Sequence, residues 1–489
     1  MTAVGPPAVP LVILATGAAV SFLLGRAAPR ARAAAASTVA ALVALGLSFA
    51  AFVGLFGLCG GPFAECRLVG ESSLRADGVS VLLGLLATGL GFAVVAFLYA
   101  RGDGDRPLFT TLFLLLVLGI AGLGLAGDLF NLYVFFELMA LSSYALVAYR
   151  RTEPEAVEAG IKYLVMNGAG SLVALLGIGL VYMSSATGNL DLQILAGTPM
   201  PAGAAWLDSA LLIAGFGVKA AVVPMHTWLP DAYTAAPTGV AAMMGGVVTV
   251  SGLVAMVRSL SVVHVEPGVT LTFGLLLAFL AVLTMTVGNL TAMHQRDLKR
   301  LLAYSSIAQV GYVLLGFGVG FEFGVSIAFV GALFHVVSHA LMKGGAFLAV
   351  GALEDSFGSR DLVALRGAGR KAPLLGAAFG VFVLGLAGVP LTAGFLSKLL
   401  IATGAAQGGT LGVFFVVALI GNSVLSLAYY VPALTGLFAE AGAEGPRPRT
   451  SRLQVGIVLA FAALVVLFGV WPDPVLAVVN AAASALGGG

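Results

Sequence analysis

Apolar runs long enough to cross a bilayer as helices, about eighteen residues or more, recur from residue 8 almost to the C-terminus. Lipid offers no partner to a backbone N–H or C=O, so a chain in that setting must satisfy its own backbone as helices or a closed barrel. The runs are continuous and do not alternate, which predicts helices throughout. With 60% apolar and 9% charged residues over 489 positions, no stretch is polar enough for a soluble domain. The net charge of +2, spread over short loops, argues against a nucleic-acid partner.

The pattern predicts an all-α polytopic membrane protein with about fourteen spans, near 8–25, 35–58, 77–100, 107–126, 128–149, 157–184, 207–229, 236–262, 269–291, 298–319, 324–351, 373–404, 409–438 and 453–476. The first run has no basic residue before it and Arg26, Arg30 and Arg32 after it. It reads as a retained span that starts outside, not a cleaved signal. Alternate loops then hold basic clusters such as Arg150/Arg151, Arg296/Lys299/Arg300 and Arg360/Arg366/Arg370/Lys371, while the others hold little beyond Arg67, Arg75 and Arg258. That asymmetry places both termini outside a multi-pass inner (plasma) membrane protein. Cys59 and Cys66, beside Gly-Gly-Pro, either close a small loop or stand as two thiols, and are too few for a cluster or closed zinc site.

Two spans are long and broken. The seventh, AGFGVKAAVVPMHTWLPDAYTAAPT, carries Lys219 at membrane depth and is interrupted by Pro224 and Pro230. The twelfth has Pro390 mid-span and Lys398 beyond it. Each proline frees a carbonyl that needs a protein or water partner. Five spans separate the two, an odd offset that reverses orientation. This predicts inverted repeats at 107–262 and 269–438, flanked by a three-helix segment 1–106 and a C-terminal loop and span 439–489. Interrupted helices in matching positions of inverted halves point to an ion or substrate path.

Buried ionisable residues mark that path by default. Glu137 sits in the middle of the fifth span; Asp128, at the same helix's start, reads as a cap. An amine in hydrocarbon gives up its proton more readily than in water, and a carboxylate brought alongside reverses this. Lys219 with Glu137 would thus be a proton-binding switch, a task arginine cannot perform. His335, His339 and Lys343 follow at four-residue steps on one helix face. They form either a proton relay or a packed core row; with no HExxH pattern and an adjacent lysine, a metal site is disfavoured. Lys398 is either an interface anchor or part of the path. His226, Asp231 and Tyr233 would line the inner mouth of the seventh span as a gate, a proton entry or a loop cap. The chain carries no nucleotide-binding, haem or iron–sulfur motif, so no cofactor and no redox or hydrolytic centre is expected in it.

The motifs DLFNLYVFFELMALSSY, KAAVVPMHTWLPDAYTAAPT, DLKRLLAYSSIAQVGY, FHVVSHALMKGGAF and AGVPLTAGFLSKLL resemble the antiporter-like subunits of respiratory complex I, membrane-bound hydrogenases and Mrp-type cation/proton antiporters. The resemblance covers the fourth to thirteenth spans. It implies two inverted five-helix bundles and a proton path in the membrane plane, with Glu137, Lys219, His335, His339, Lys343 and Lys398 as carriers. It also implies other membrane subunits as partners, with protons and Na+ as the ions moved. GDLFNLYVFFELM and KYLVMNGAGS look most like the D-type component of Mrp antiporters, so Na+/H+ antiport is the leading expectation and a pumping subunit of NADH-quinone oxidoreductase or a hydrogenase the alternative. One position departs: where the family usually has a lysine in the eighth span stands Val250, a gap bridged by water at Thr249 or Ser251, avoided through His335 and His339, or left open so that this bundle conducts poorly.

Overall fold

The computed structural model describes residues 6–27, 30–58, 68–69, 74–101, 107–263, 273–440 and 450–486. Cys59 and Cys66 lie outside these ranges. The described chain is helical apart from connections and a hairpin pairing Leu68–Val69 with Arg75–Ala76. In order, the helices are α1 (Val9–Ala27), α2 (Arg30–Leu58), α3 (Gly78–Arg101), α4 (Pro107–Leu125), α5 (Leu129–Val147), α6 (Pro154–Ser184) and the short α7 (Leu192–Ala196). Then come α8 (Ala202–Lys219), α9 (Trp228–Ala235), α10 (Thr238–Met243), α11 (Thr249–Leu260), α12 (Phe273–Ala292), α13 (Leu298–Phe323) and α14 (Ser326–Phe357). The chain ends with α15 (Ala368–Lys371), α16 (Pro373–Ala387), α17 (Ala393–Ala406), α18 (Gly409–Leu437), α19 (Arg452–Val470) and α20 (Asp473–Ala485).

Among the described residues, 13 helices are long and apolar enough to cross a membrane, the run 238–260 counting as one. The shorter α16 and α17 share the further crossing predicted at 373–404. Two predicted spans need correction. The seventh, expected to run to 229, ends as a helix at Lys219 and resumes at Trp228. The last ends at Val470, after which Pro472 and Pro474 start a separate helix, α20.

Three segments form the axis of the molecule. Residues 238–260 are buried on every side, and α13 and α14 nearly so. A helix apolar all round has no face to give to solvent and belongs in the middle of a bundle. His335, His339 and Lys343 on α14 are therefore enclosed by protein.

Four Asp-Leu pairs fasten the helix ends. Asp128 and Asp191 begin α5 and α7 and lie side by side, with Leu129 N–H donating to Leu190 C=O (3.1 Å) and Leu192 N–H to Gly127 C=O (3.0 Å). Asp297 and Asp361 repeat this, with Leu298 N–H on Arg360 C=O (3.0 Å) and Leu362 N–H on Arg296 C=O (2.9 Å). Each carboxylate also accepts from backbone N–H groups two or three residues on, as Asp128 does from Asn131 at 2.8 Å. Asp128 is thus the cap its position suggested.

Arg258, counted among loop residues from sequence, is buried. Its guanidinium reaches Asp77 at 2.7 Å and the Gly124 carbonyl at 2.7 Å, tying α11 to the start of α3 and the end of α4. Removing one partner of a buried pair strands the other, at a cost of about 3–5 kcal/mol. Asp77→Ala is expected to lower the thermal midpoint of the detergent-purified protein markedly, and Asp77→Ala combined with Arg258→Met to recover part of the loss. A double variant no better than the single one would show that the pair is not what is being read.

Candidate functional site

The break after α8 is built around Lys219. Ala221 adopts a left-handed backbone (φ 55), which turns the chain out of the helix. The Val218 carbonyl, which accepts the Ala221 N–H at 3.0 Å, also takes the Trp228 indole N–H at 2.8 Å, and the Val223 N–H is taken by Thr284 Oγ1 at 3.1 Å. The helix can therefore stop at membrane depth with its polar groups satisfied, as lipid surroundings require.

Lys219 is 1% exposed. Its Nζ donates to Tyr163 Oη at 2.7 Å and Ser143 Oγ at 3.2 Å, and these two hydroxyls are 2.9 Å apart. The ammonium also faces the rings of Tyr144 and Tyr163, at 5.0 and 4.7 Å from their centroids. Both contacts favour a cation without neutralising it. No described carboxylate lies within ion-pairing distance. Glu137 is near enough for the two charges to interact, yet its hydrogen bond comes from Ser171 Oγ, which itself contacts Tyr133 Oη at 3.1 Å. Glu137 is also only half-buried, on the bundle's flank among exposed Phe130, Val134 and Leu141. The expected Glu137–Lys219 pair is thus two neighbouring centres with separate partners.

A second group lies along α14. Lys343 Nζ donates to the Leu302 carbonyl at 2.7 Å and to Ser305 Oγ, both on α13. His335 has both ring nitrogens engaged, by Ser397 Oγ at 2.8 Å and Gln309 Oε1 at 3.0 Å. It therefore has no free nitrogen to share a metal with His339. His339, between His335 and Lys343, is buried with no protein partner for either nitrogen. Lys398 is buried too, which excludes an interface anchor. Its Nζ donates 2.7 Å to the Leu386 carbonyl freed by the second break and lies 4.1 Å from the Tyr312 ring centroid. Gln309 Nε2 donates to that same carbonyl at 3.1 Å. Lys398, Leu386 C=O, Gln309 and His335 are thus one hydrogen-bonded string.

Between the two groups runs the wall formed by α9 and α11. Tyr233, placed at the mouth from sequence, is instead wholly buried. Its hydroxyl contacts Thr249 Oγ1 and donates to the Met244 carbonyl at 2.7 Å, within a π-helical turn over Met244–Val248. That turn frees hydrogen-bonding capacity in mid-helix and commonly marks functional positions. Val250 is buried one residue beyond Thr249, and Ser251 bonds back to Val247 C=O, so Tyr233 and Thr249 are the polar pair at this level.

Asp231 lies in a charged surface cavity. It pairs with Lys162 at 3.2 Å and Arg300 at 3.1 Å, and lines a cavity of about 470 Å³ with Arg150, Glu158 and Arg360. His226 is not among the lining residues; its Nδ1 has no protein partner. Lys299, assigned to a loop from sequence, is buried against Glu354 at 3.4 Å. Tyr163, Ser171, Ser305 and Gln309 were missed. Hydroxyls and amides in helices are common, and only their spacing relative to the lysines could have singled them out.

A family described as NADH:quinone oxidoreductase/Mrp antiporter, TM, matches residues 126–426. NADH-quinone oxidoreductase subunit N of Desulforudis audaxviator is 35% identical over 416 residues, 80% of this chain and 81% of that subunit. F(420)H(2) dehydrogenase subunit N of Methanosarcina mazei is 32% identical over 473 residues, 92% of each chain. A chain of respiratory complex I from Thermus thermophilus superposes with a TM-score of 0.80 at 31% identity, covering 96% of this chain and 98% of its own. A chain of the Mrp complex from Dietzia gives 0.85 at 24% identity, covering 99% and 98%. At that identity the Mrp likeness is one of fold.

If Tyr163 holds the Lys219 ammonium ready for exchange, Tyr163→Phe removes a hydrogen bond to a charged group, worth about 1.5–3 kcal/mol. Proton transport by the assembled complex in vesicles should fall by at least about tenfold with the subunit still incorporated. Unchanged transport would show that Tyr163 only packs.

Proposed function

Because the chain belongs to the NADH:quinone oxidoreductase/Mrp antiporter membrane family, we propose that it is the N-type proton-carrying membrane subunit of a redox-driven complex. The observation that carries this reading is Lys219, an amine sealed at a helix break, hydrogen-bonded by hydroxyls and approached but not neutralised by Glu137. Such an amine can take and release a proton as a nearby charge shifts. Its energy would come from partner subunits holding the redox centres. The relatives bear the names of NADH-linked and F(420)H(2)-linked complexes, so the electron donor is a property of those partners.

This corrects the leading expectation from sequence. The relatives at 35% and 32% identity are N subunits, whereas the Mrp likeness, at 24% identity, is one of fold. Na+/H+ exchange is accordingly set aside in favour of proton pumping.

The assigned roles follow the geometry. Asp231, with Lys162 and Arg300, would gather protons at the charged mouth. Glu137 and Lys219 would carry them in the first bundle, and Lys343, His339, His335 and Lys398 in the second. The half-exposed Glu137 would be covered by a neighbouring membrane subunit, since an ionised carboxylate facing lipid is costly. The duplicated Asp-Leu fastenings support the division at 107–262 and 269–438. They stand five spans apart, hence at opposite membrane faces, as an inverted pair must. The positive-inside pattern supports both termini lying opposite the face that holds Arg150, Arg300 and Arg360, in the energy-transducing membrane.

The test is a substitution in the native complex. Lys219→Ala should abolish redox-coupled proton transport, and Glu137→Gln should reduce it strongly, with the subunit still co-purifying with its partners. Full pumping by Lys219→Ala would refute the reading. Co-purification with small cation-antiporter subunits in place of iron–sulfur and quinone-site subunits would return the protein to the Mrp class.

A further inference from the structure

Tyr163, Asn167 and Ser171 follow one another at four-residue steps on α6 and so share one face of that helix. Tyr163 holds Lys219, and Ser171 holds Glu137. Asn167, halfway between them, is 3% exposed, and neither its Nδ2 nor its Oδ1 meets a protein partner. A buried amide left unpaired at both ends is rare in native proteins, where such groups bond to protein or to ordered water.

The spacing says what kind of partner fits. Eight residues at a rise of 1.5 Å separate Tyr163 and Ser171 by about 12 Å along α6, with Asn167 about 6 Å from each. That exceeds the roughly 3 Å of one direct hydrogen bond and suits links through water. A buried water needs two to four polar partners. Here Asn167 and Tyr163 would serve on one side, Asn167, Ser171 and Glu137 on the other. A cation is a poor fit, because the Lys219 ammonium would repel it. The row also has a natural end. About one turn past Ser171, α6 packs directly on α8: a Cβ at Gly215 would lie 2.4 Å from the Ala174 nitrogen.

We propose that Asn167 orients buried water joining the Glu137–Ser171 and Lys219–Tyr163 centres, making α6 the route by which a proton passes between them. The amide is not itself protonated. Its donor and acceptor fix the water, which accepts a proton from the protonated Glu137 carboxyl and releases one to the neutral Lys219 amine. Asn167 is therefore a positioning residue, and the inference rests on the roles proposed above for Glu137 and Lys219.

The assembled complex tests it with Asn167→Leu, Asn167→Ser and Lys219→Ala, each measured for redox-coupled proton transport, and with density maps that resolve waters. We expect water hydrogen-bonded to Asn167 in the wild type and none at that point in Asn167→Leu. Transport in Asn167→Leu should fall about tenfold, the effect of losing roughly one hydrogen bond from the relay. Asn167→Ser, small and polar, should keep the water and most of the activity. A wild-type map without water there, an Asn167→Leu variant as active as wild type while Lys219→Ala is inactive, or an Asn167→Ser variant as impaired as Asn167→Leu would each overturn the proposal. An active Lys219→Ala variant would instead sink the proposed function itself, and this inference with it.

Discussion

An ammonium group enclosed by protein at mid-membrane, held by two hydroxyls and no carboxylate, is the constraint from which the rest of the fold follows. A full ion pair would fix the charge on Lys219 permanently. Bare hydrocarbon would expel the charge or the helix. Tyr163 and Ser143 occupy the middle ground: they solvate the amine without supplying an opposite charge. Lys343 and Lys398 are treated alike, with carbonyls and a hydroxyl as acceptors. Three lysines buried in this manner need a polar lining that an unbroken bundle of apolar helices lacks.

The helix breaks and the π-turn supply part of that lining. An intact helix uses its carbonyls internally. A break releases them, and the chain here uses the released Leu386 carbonyl to bind both Lys398 and Gln309. The same holds at Met244, whose carbonyl receives Tyr233 and Thr249. Each break also includes a residue with a side chain in the left-handed region, Ala221 at φ 55 and Leu391 at φ 71. Such conformations cost on the order of 1–3 kcal/mol and persist only where surrounding structure imposes them. The core of 238–260, α13 and α14 provides that rigid surrounding. Strain and polarity thus sit together, where the lysines are.

Much of this was legible in the chain. Span positions follow from apolar run length, and the breaks from Pro224 and Pro390 beside lysines, because proline and buried charge act locally. What was not legible depends on contacts between distant helices. Arg258 looked like a loop residue because Asp77 lies 181 positions away. Tyr233 looked like a mouth residue because its neighbours in sequence, His226 and Asp231, are less buried. Glu137 and Lys219 do interact, but each is hydrogen-bonded to a different hydroxyl of α6, and no pattern in α5 or α8 alone announces that.

Val250 bears on how the two bundles communicate. A lysine there would place a charge between Lys219 and Lys343; a buried valine places none. What remains at that level is Tyr233 on Thr249, flanked by Trp228 on one side and Phe347 on the other. Hydroxyls can pass a proton only by giving up one while taking another, and aromatic rings pass none. In the proposed two-bundle division, an aromatic wall and its hydroxyl pair would stand between the bundles, with no lysine at the Val250 level among the described residues. On the proposed reading, each lysine centre would be loaded from its own side, Lys219 past Asn167 and Glu137, Lys343 past His339. On that reading, the missing lysine would favour two half-paths in place of one continuous wire.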